Sequence, residues 1–296
     1  MEEQINEFLV SLQEHRGYAR NTVEAYRNDL NQFLNFVGNE RPHLTQWSRV
    51  DKPLLLEFIK DLTAREYTPS SVARKVAVLK TFYHFLMEQN LVSEDPTATL
   101  GSPKVQKRLP QILTPDEVDR LLGTPAKHST PKGFRDRAIL ELLYASGVRV
   151  TELVSLDVDA VDLDAKTVRC KGRGAKLRVI PISERAANAL GDYLERGRSV
   201  LVTRDERALF VNAHGERLTR QGLWLIIKEY VEEAGIETAV TPHTLRHSFA
   251  VHQLNKGEDL HNVQRLLGHA NITTTQMYAR LASAPSNGNS GTPESD

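Results

Sequence analysis

The sequence predicts a mainly α-helical protein of two domains, an N-terminal four-helix bundle followed by a mixed α/β domain with a small antiparallel sheet. Three observations support this fold class. The chain has 296 residues, which is more than one domain usually contains. Apolar residues recur at helical spacing through the first hundred residues. After Val161 the pattern changes for a short stretch to the alternation that is typical of β-strands.

Four amphipathic segments account for the predicted bundle. Their apolar residues lie three or four positions apart, as one buried face of a helix requires. The segments are Ile5–Leu12, Tyr26–Val37, Leu54–Leu62 and Val72–Phe85. Asn21, with Glu24 three residues later, predicts a capping box at the start of the second helix. Thr68, followed by Pro69, predicts the N-cap of the fourth helix.

A basic, proline-bounded stretch separates the two predicted domains. Helical periodicity stops at Asp95-Pro96, and Thr114 with Glu117 predicts the capping box of a new helix. The end of the chain is rich in Ser, Pro, Asn and Gly and has little to bury. We therefore expect a helical domain, a basic linker, a second domain and a disordered tail, at residues 1–103, 104–112, 113–283 and 284–296 respectively.

A β-hairpin is predicted within the second domain. Thr167–Cys170 and Leu177–Ile180 are alternating or β-branched, and Gly172–Gly174 between them favours a turn. The stretch from Lys171 to Ile180 carries four cations and no acid. Taken alone, these cations fit a solvated surface as well as an anion-binding one.

Composition excludes several classes of function. No apolar run approaches the roughly 18 residues that a membrane span needs, and the acidic N-terminus is unlike a secretory signal. The single cysteine, Cys170, predicts no disulfide and therefore a reducing, cytoplasmic environment. No zinc-ligand spacing is found. Because basic and acidic residues both number 38, a nucleic-acid partner would have to be recognised through the distribution of charge.

Two segments of the second domain carry arginines suited to binding an anion. Arg149 follows a glycine break, and Glu152 is placed to pair with it on the next helical turn. Thr241-Pro242 predicts a helix start, so His243 and Arg246 share one face near the positive end of that helix. Each segment alone is also compatible with an ordinary exposed helix.

A third segment ends in a tyrosine. Gly268 predicts the left-handed end of a helix, which leaves His269 at the mouth of a loop. Tyr278 lies nine residues further, on a short threonine-capped helical turn. A lone tyrosine is usually a packing residue, but its hydroxyl can be a nucleophile where cations stabilise the phenolate. His247, in the apolar stretch after Arg246, is interpreted as a core histidine with a satisfied hydrogen bond.

Together, these residues resemble the signature of the tyrosine recombinase family. The signature is the arginine of SGVRVTEL, the H-x-x-R pair of TPHTLRHSFA, and the histidine and tyrosine of LLGHANITTTQMYA. The resemblance covers nearly the whole chain, because the helical first hundred residues are similar to the family's N-terminal core-binding domain. In its compact length and in the residues of these motifs, the chain is most similar to the Xer recombinases (XerC and XerD), which are cellular members of the family.

The resemblance implies a DNA strand transferase. Tyr278 would attack the scissile phosphate, form a 3′-phosphotyrosine and release a 5′-hydroxyl, which then attacks the linkage on the partner strand. Arg149 and Arg246 would each hold phosphate oxygens with a bidentate fork. His243 and His269 would donate hydrogen bonds to the same oxygens or handle the tyrosine proton. Because the phosphotyrosine ester conserves the energy of the cleaved DNA bond, no ATP, metal or other cofactor is expected.

One position departs from the family pattern. The family supplies a lysine from the hairpin turn as the acid for the leaving hydroxyl, and Arg173 stands where that lysine is expected. Arginine is a poor proton donor at neutral pH. Lys176 is the first substitute in this sequence and Lys171 the second. The C-terminus also departs, since only Ala279–Ser283 could continue a helix beyond the tyrosine and dock on a neighbouring protomer.

The resemblance also implies partners and leaves alternatives open. It implies three partners: a double-stranded DNA recombination site, a second Xer-type recombinase in a tetramer on DNA, and a septal DNA translocase. The implied role is to resolve chromosome dimers before division. Phosphate contacts would come from the hairpin and from Lys104, Lys107 and Arg108. The alternatives are an integrase or resolvase of a mobile element, a catalytically impaired DNA-binding accessory protein, and a type IB topoisomerase-like activity.

Overall fold

A computed structural model describes residues 1–14, 17–101, 103, 110–172, 177–202 and 206–283. The chain divides into two compact units, Met1–Arg108 and Leu109–Asp296. Residues 104–109, most of the predicted linker, lie outside the described residues, as does the predicted disordered tail. The predicted domain limits at 103 and 113 therefore stay predictions.

The described part of the N-terminal unit contains the four predicted α-helices and a short 3-10 helix at Trp47–Arg49. The α-helices are α1 (Glu2–Glu14), α2 (Arg20–Glu40), α3 (Lys52–Ala64) and α4 (Pro69–Glu88). Their apolar faces enclose a core in which aromatic rings contact one another. The rings are those of Phe8, Phe33, Trp47, Phe58 and Phe82.

The two capping predictions for this unit have different outcomes. Thr68 is the N-cap of α4, and its hydroxyl accepts a hydrogen bond from the backbone amide of Ser71. The predicted capping box at Asn21 is wrong, because α2 begins earlier and its N-cap, Ala19, has no side chain that could accept such a bond. The first turn of α2 therefore gains no stabilisation from a side-chain cap.

The C-terminal unit is also mainly helical. Its described helices are α5 (Pro115–Gly123), α6 (Pro131–Ser146), α7 (Val150–Val154), α8 (Glu184–Asp192), α9 (Ser199–Leu201), α10 (Arg220–Glu233), α11 (Pro242–Asn255), α12 (Leu260–Leu267) and α13 (Thr273–Ala282). Short 3-10 helices occur at Thr124–Lys127 and Val158–Ala160. A π-helical turn, Tyr193–Arg198, joins α8 to α9.

The start of each of two helices follows the sequence prediction. Thr114 forms the predicted capping box with Glu117 at the start of α5. Thr241 caps α11 by accepting a hydrogen bond from the amide of Thr244, with Pro242 in the first turn. Helix α6 is buried along much of its length and packs against α5, α8 and α11. Helix α11 also packs against α12 and α13.

A three-stranded antiparallel sheet completes the C-terminal unit. Its strands are β1 (Val161–Asp162), β2 (Thr167–Lys171) and β3 (Leu177–Pro181), in the order β1-β2-β3. The predicted hairpin of β2 and β3 is confirmed, with Val168 opposite Ile180 and Cys170 opposite Arg178. Strand β1 was not predicted, because two residues are too short for an alternating pattern. Residues 173–176, which include part of the predicted turn, lie outside the described residues.

Among the helices that the structure describes, none combines the length and the apolar character needed to cross a membrane.

Candidate active site

Arg246 lies at the centre of the predicted site. It is only 5% exposed on α11. One guanidinium nitrogen donates to the carbonyl oxygen of Gly147, where α6 ends, and the other donates to the carbonyl oxygen of Leu267 at 2.6 Å. Burial, and then the nearby charge of Arg149, lower the pKa of Arg246 to about 10. The guanidinium is still charged at neutral pH, and backbone oxygens hold it in one orientation.

Arg149 lies beside it and is held in a related way. It is the N-cap residue of α7, and its Nη2 donates to the carbonyl oxygen of Gly268 at 2.8 Å. Its Nη1 donates to Glu152 Oε1 at 3.0 Å, so the predicted pairing of these residues is confirmed. Gly147, which ends α6, and Gly268, the predicted helix end, both adopt left-handed backbone conformations, with φ of 57° and 63°. Both arginines therefore contact a helix C-terminus, whose partial negative charge stabilises a cation.

Glu152 is shared with a residue that was not predicted to belong to the site. Arg178 of β3 donates to both carboxylate oxygens of Glu152, at 2.6 and 2.8 Å. Burial alone would raise the pKa of Glu152, but the hydrogen bonds from Arg178 and Arg149 lower it below its usual value. Glu152 is therefore a buried anion that holds two guanidinium groups in place.

A signal for Arg178 was present in the hairpin. Period-two alternation places Arg178 on the same face of β3 as the buried Ile180, whereas Leu177 and Val179 point to solvent. Space beside Arg178 also depends on Gly268, because a Cβ on that glycine would lie 2.7 Å from Arg178 Nη1. The sequence pattern shows that Arg178 faces inward, but it does not show that Arg178 pairs with Glu152. The two residues are distant in the sequence and meet only in the folded chain.

The predicted histidines occupy different environments. His269 directly follows Gly268, and its Nδ1 is hydrogen-bonded to Thr275 Oγ1 at 3.0 Å. Burial, with Arg246 and Arg149 nearby, lowers the pKa of His269 to about 4. His243 is exposed at the start of α11, and its ring is stacked near that of His247 with centroids 6.3 Å apart.

Tyr278 lies on α13 and is 2% exposed. Its ring is stacked with that of His269, with centroids 6.1 Å apart, and its hydroxyl is 2.7 Å from His247 Nδ1. Burial raises the pKa of Tyr278, whereas the charges of Arg246 and Arg149 act in the opposite direction. The predicted threonine cap of this helix is wrong: the N-cap is Ile272, which makes no side-chain hydrogen bond.

The structure brings most of the predicted residues into one cluster. Arg149, Arg246, His269 and Tyr278 influence one another electrostatically, and His243 joins them through the ring of His247. The interpretation of His247 as a core residue was incomplete, since it is half-buried and its hydrogen-bond partner is the predicted nucleophile. Lys176 and Arg173 lie outside the described residues, and Lys171 is exposed at the end of β2.

The cluster has the chemistry of an anion site with a nucleophile at its edge. Two guanidinium groups supply fixed positive charge in a partly water-excluded position, where charge has a larger effect than in bulk water. The phenol of Tyr278 lies near them, as do the imidazoles of His247 and His269, whose pKa values are lowered. Such a set can bind a phosphate diester and attack it.

Comparisons with known proteins agree with this chemistry. The phage integrase family model matches residues 111–284, and a model of the phage integrase N-terminal SAM-like domain matches residues 5–90. The chain belongs to the phage integrase family. It is a tyrosine recombinase, so the predicted fold class and enzyme class are confirmed.

Individual relatives and structures cover nearly all of the chain. It is 49% identical over 284 residues to the tyrosine recombinase XerC of Roseiflexus castenholzii, covering 95% of this chain and 90% of the relative. It is 42% identical over 283 residues to the tyrosine recombinase XerD of Listeria innocua, covering 95% of each. The crystal structure of the XerH site-specific recombinase bound to a palindromic difH substrate, a post-cleavage complex, shares the fold with a TM-score of 0.75. That match covers 96% of this chain and 86% of the other at 21% identity.

Proposed function

We propose that Tyr278 is the nucleophile of this recombinase and that Arg149 and Arg246 bind the scissile phosphate. The observation that carries this proposal is the position of the Tyr278 phenol, buried beside two arginines that both lower its pKa relative to burial alone. A phosphate diester is already anionic, and its transition state concentrates that charge further. Fixed guanidinium groups therefore stabilise the transition state more than the ground state.

The remaining predicted residues have supporting roles. His269 is held by Thr275 with one ring face against Tyr278, so its other nitrogen is available to donate a hydrogen bond to a phosphate oxygen. His243 is exposed at the N-terminal end of α11, where a helix favours an anion. Lys176 is proposed as the acid that protonates the leaving 5′ oxygen, with Lys171 as the alternative.

The biological role proposed for this chain is Xer-type recombination in the cytoplasm. Relatives that carry the names XerC and XerD align with nearly its full length, which supports resolution of chromosome dimers. The substrate is then a double-stranded recombination site, as the DNA-bound XerH structure suggests. Four protomers would act on two sites, together with a second Xer-type recombinase and a septal DNA translocase.

A covalent-trapping experiment tests the proposed nucleophile. A duplex selected for tight binding from a random-sequence pool is nicked next to successive positions, so that cleavage releases a short fragment and religation fails. The wild-type protein is expected to form a protein–DNA adduct that survives denaturation, and Tyr278→Phe is expected to form none. Tyr144→Phe is the matched control, because Tyr144 also bonds a histidine of α11, His252, at 2.8 Å.

The outcomes separate two claims. An adduct formed by Tyr278→Phe at the wild-type rate would contradict the assignment of the nucleophile. Loss of the adduct in both variants would show that the loss reflects packing against α11 and not the nucleophile. Retention of duplex binding by Tyr278→Phe confirms that the missing adduct is a defect in chemistry.

A further inference from the structure

The hydroxyl of Tyr278 has a hydrogen-bond partner that the recombinase signature does not include. Its partner is Nδ1 of His247, at 2.7 Å, and the two ring centroids lie 5.5 Å apart. His247 lies one residue after Arg246 on α11, so the two side chains leave neighbouring positions of one rigid helix. The nucleophilic oxygen is therefore held directly by an imidazole.

The two histidines of the signature are engaged elsewhere. His269 uses Nδ1 for Thr275 Oγ1 and presents a ring face to Tyr278. His243 is exposed and contacts the ring of His247. Of the three histidines around this tyrosine, His247 is thus the one whose ring nitrogen lies at hydrogen-bonding distance from the atom that attacks phosphorus.

The surroundings of His247 keep its ring neutral in the absence of a bound phosphate. Burial, followed by the charges of His243 and Arg246, lowers the pKa of His247 to about 4. Tyr278 and His269 face it from α13 and from the loop after α12. A neutral imidazole has one nitrogen with a free lone pair. A phosphate bound at the arginines would oppose their charge and raise the basicity of the imidazole.

We infer that His247 is the general base of strand cleavage, accepting the phenol proton of Tyr278 on Nδ1. The inference rests on the proposed role of Tyr278 as nucleophile. The phenol O–H bond breaks and its proton passes to Nδ1, while the phenol oxygen bonds to phosphorus. The bond from phosphorus to the 5′ oxygen breaks, and that oxygen takes a proton from the separate acid proposed above. In religation the proton on Nδ1 returns to the departing phenol oxygen.

His247→Asn tests this role directly. An asparagine oxygen can take the place of Nδ1 and accept the phenol hydrogen bond, but it cannot take up the proton at neutral pH. We expect single-turnover adduct formation at pH 7 to fall by about 10²- to 10³-fold, as general-base catalysis predicts. The deficit should shrink by about tenfold per pH unit above pH 7, because hydroxide then deprotonates the phenol.

His252→Asn is the matched control. His252 lies on the same helix and pairs through Nδ1 with a tyrosine hydroxyl at 2.8 Å, but that tyrosine is Tyr144. We expect its cleavage rate to stay within about twofold of wild type. Thermal melting and duplex affinity of both variants establish that they fold and bind.

A second variant gives a positive readout even if His247→Asn folds poorly. His247→Gly leaves room for free imidazole, which should restore adduct formation in proportion to its concentration and to its neutral fraction. Wild-type cleavage by His247→Asn, or a deficit that neither pH nor imidazole changes, would overturn the assignment of His247 as the base. An adduct formed by Tyr278→Phe would instead overturn the underlying assignment of the nucleophile.

Discussion

Arg149 and Arg246 belong to the same cluster but differ in burial and in the groups that hold them. Each donates to the carbonyl of a glycine that ends a helix in the left-handed conformation, Gly268 and Gly147 respectively. Arg149 has 34% of its side chain exposed and also pairs with a buried carboxylate. Arg246 is buried, and its described side-chain hydrogen bonds go to backbone carbonyls.

This difference shows two ways to fix a cation without neutralising it. Glu152 offsets one charge, but it is shared with Arg178, so two guanidinium groups face one carboxylate. Around Arg246 the partial charges of two helix C-termini take the place of a counter-ion. The site therefore keeps net positive charge, as the proposed phosphate binding requires. The more deeply buried arginine should contribute more to catalysis, since its field is less screened by water.

The largest expected effect comes from replacing the two arginines by lysine. Lysine has no fork and cannot contact the helix carbonyls and a phosphate at the same time. We expect Arg246→Lys to lower the single-turnover cleavage rate on the order of 10³-fold, and Arg149→Lys by about 10²-fold. Adduct formation on the nicked substrate measures both rates.

Arg185→Lys is the control for this pair, because Arg185 pairs with Asp119 at 3.0 Å and with Glu141 of α6. It should cleave at close to the wild-type rate. A larger loss of cleavage rate for Arg149→Lys than for Arg246→Lys would show that burial does not decide which arginine contributes more to catalysis.

The two glycines should respond differently to alanine. At Gly147 a Cβ would lie 2.5 Å from Phe249 and 2.9 Å from Leu267, so Gly147→Ala combines overpacking with left-handed strain. We expect a loss of about 3 kcal/mol in the free energy of unfolding. At Gly268 the clash is with Arg178, and the expected loss is about 1 kcal/mol with a roughly tenfold slower cleavage. Urea unfolding and adduct kinetics measure the two effects, and equal stability losses would contradict the comparison.

Glu152→Gln is expected to act on stability alone, by less than Gly147→Ala. Loss of the charge weakens the hydrogen bonds from Arg149 and Arg178, which should cost about 2 kcal/mol of unfolding free energy at pH 7. Because the pKa of Glu152 in the folded protein lies below its usual value of 4.5, this stabilisation is present above pH 4.5 and is lost as the pH falls further. Urea unfolding of variant and wild type should therefore converge in acid, and a constant difference would contradict the assigned pKa.

The sequence was most informative where structure is decided locally. Threonine at 68, 114 and 241 predicted helix starts correctly, because a cap depends on the next three residues. The arginine, histidine and tyrosine motifs likewise placed most of the cluster. Arg178 and His247 were missed as members of the site because their partners lie 26 and 31 residues away along the chain. Such pairs depend on packing between elements, which neither periodicity nor capping describes.

The enclosure of Tyr278 has a consequence for the fidelity of the reaction. A phosphotyrosyl ester stores the energy of the broken strand, and attack by water would leave a permanent nick. With the phenol only 2% exposed between two imidazole rings, the position where that ester would form offers little room to solvent. For the nucleophile proposed above, the burial that raises the pKa of Tyr278 would favour sealing by a DNA hydroxyl over hydrolysis.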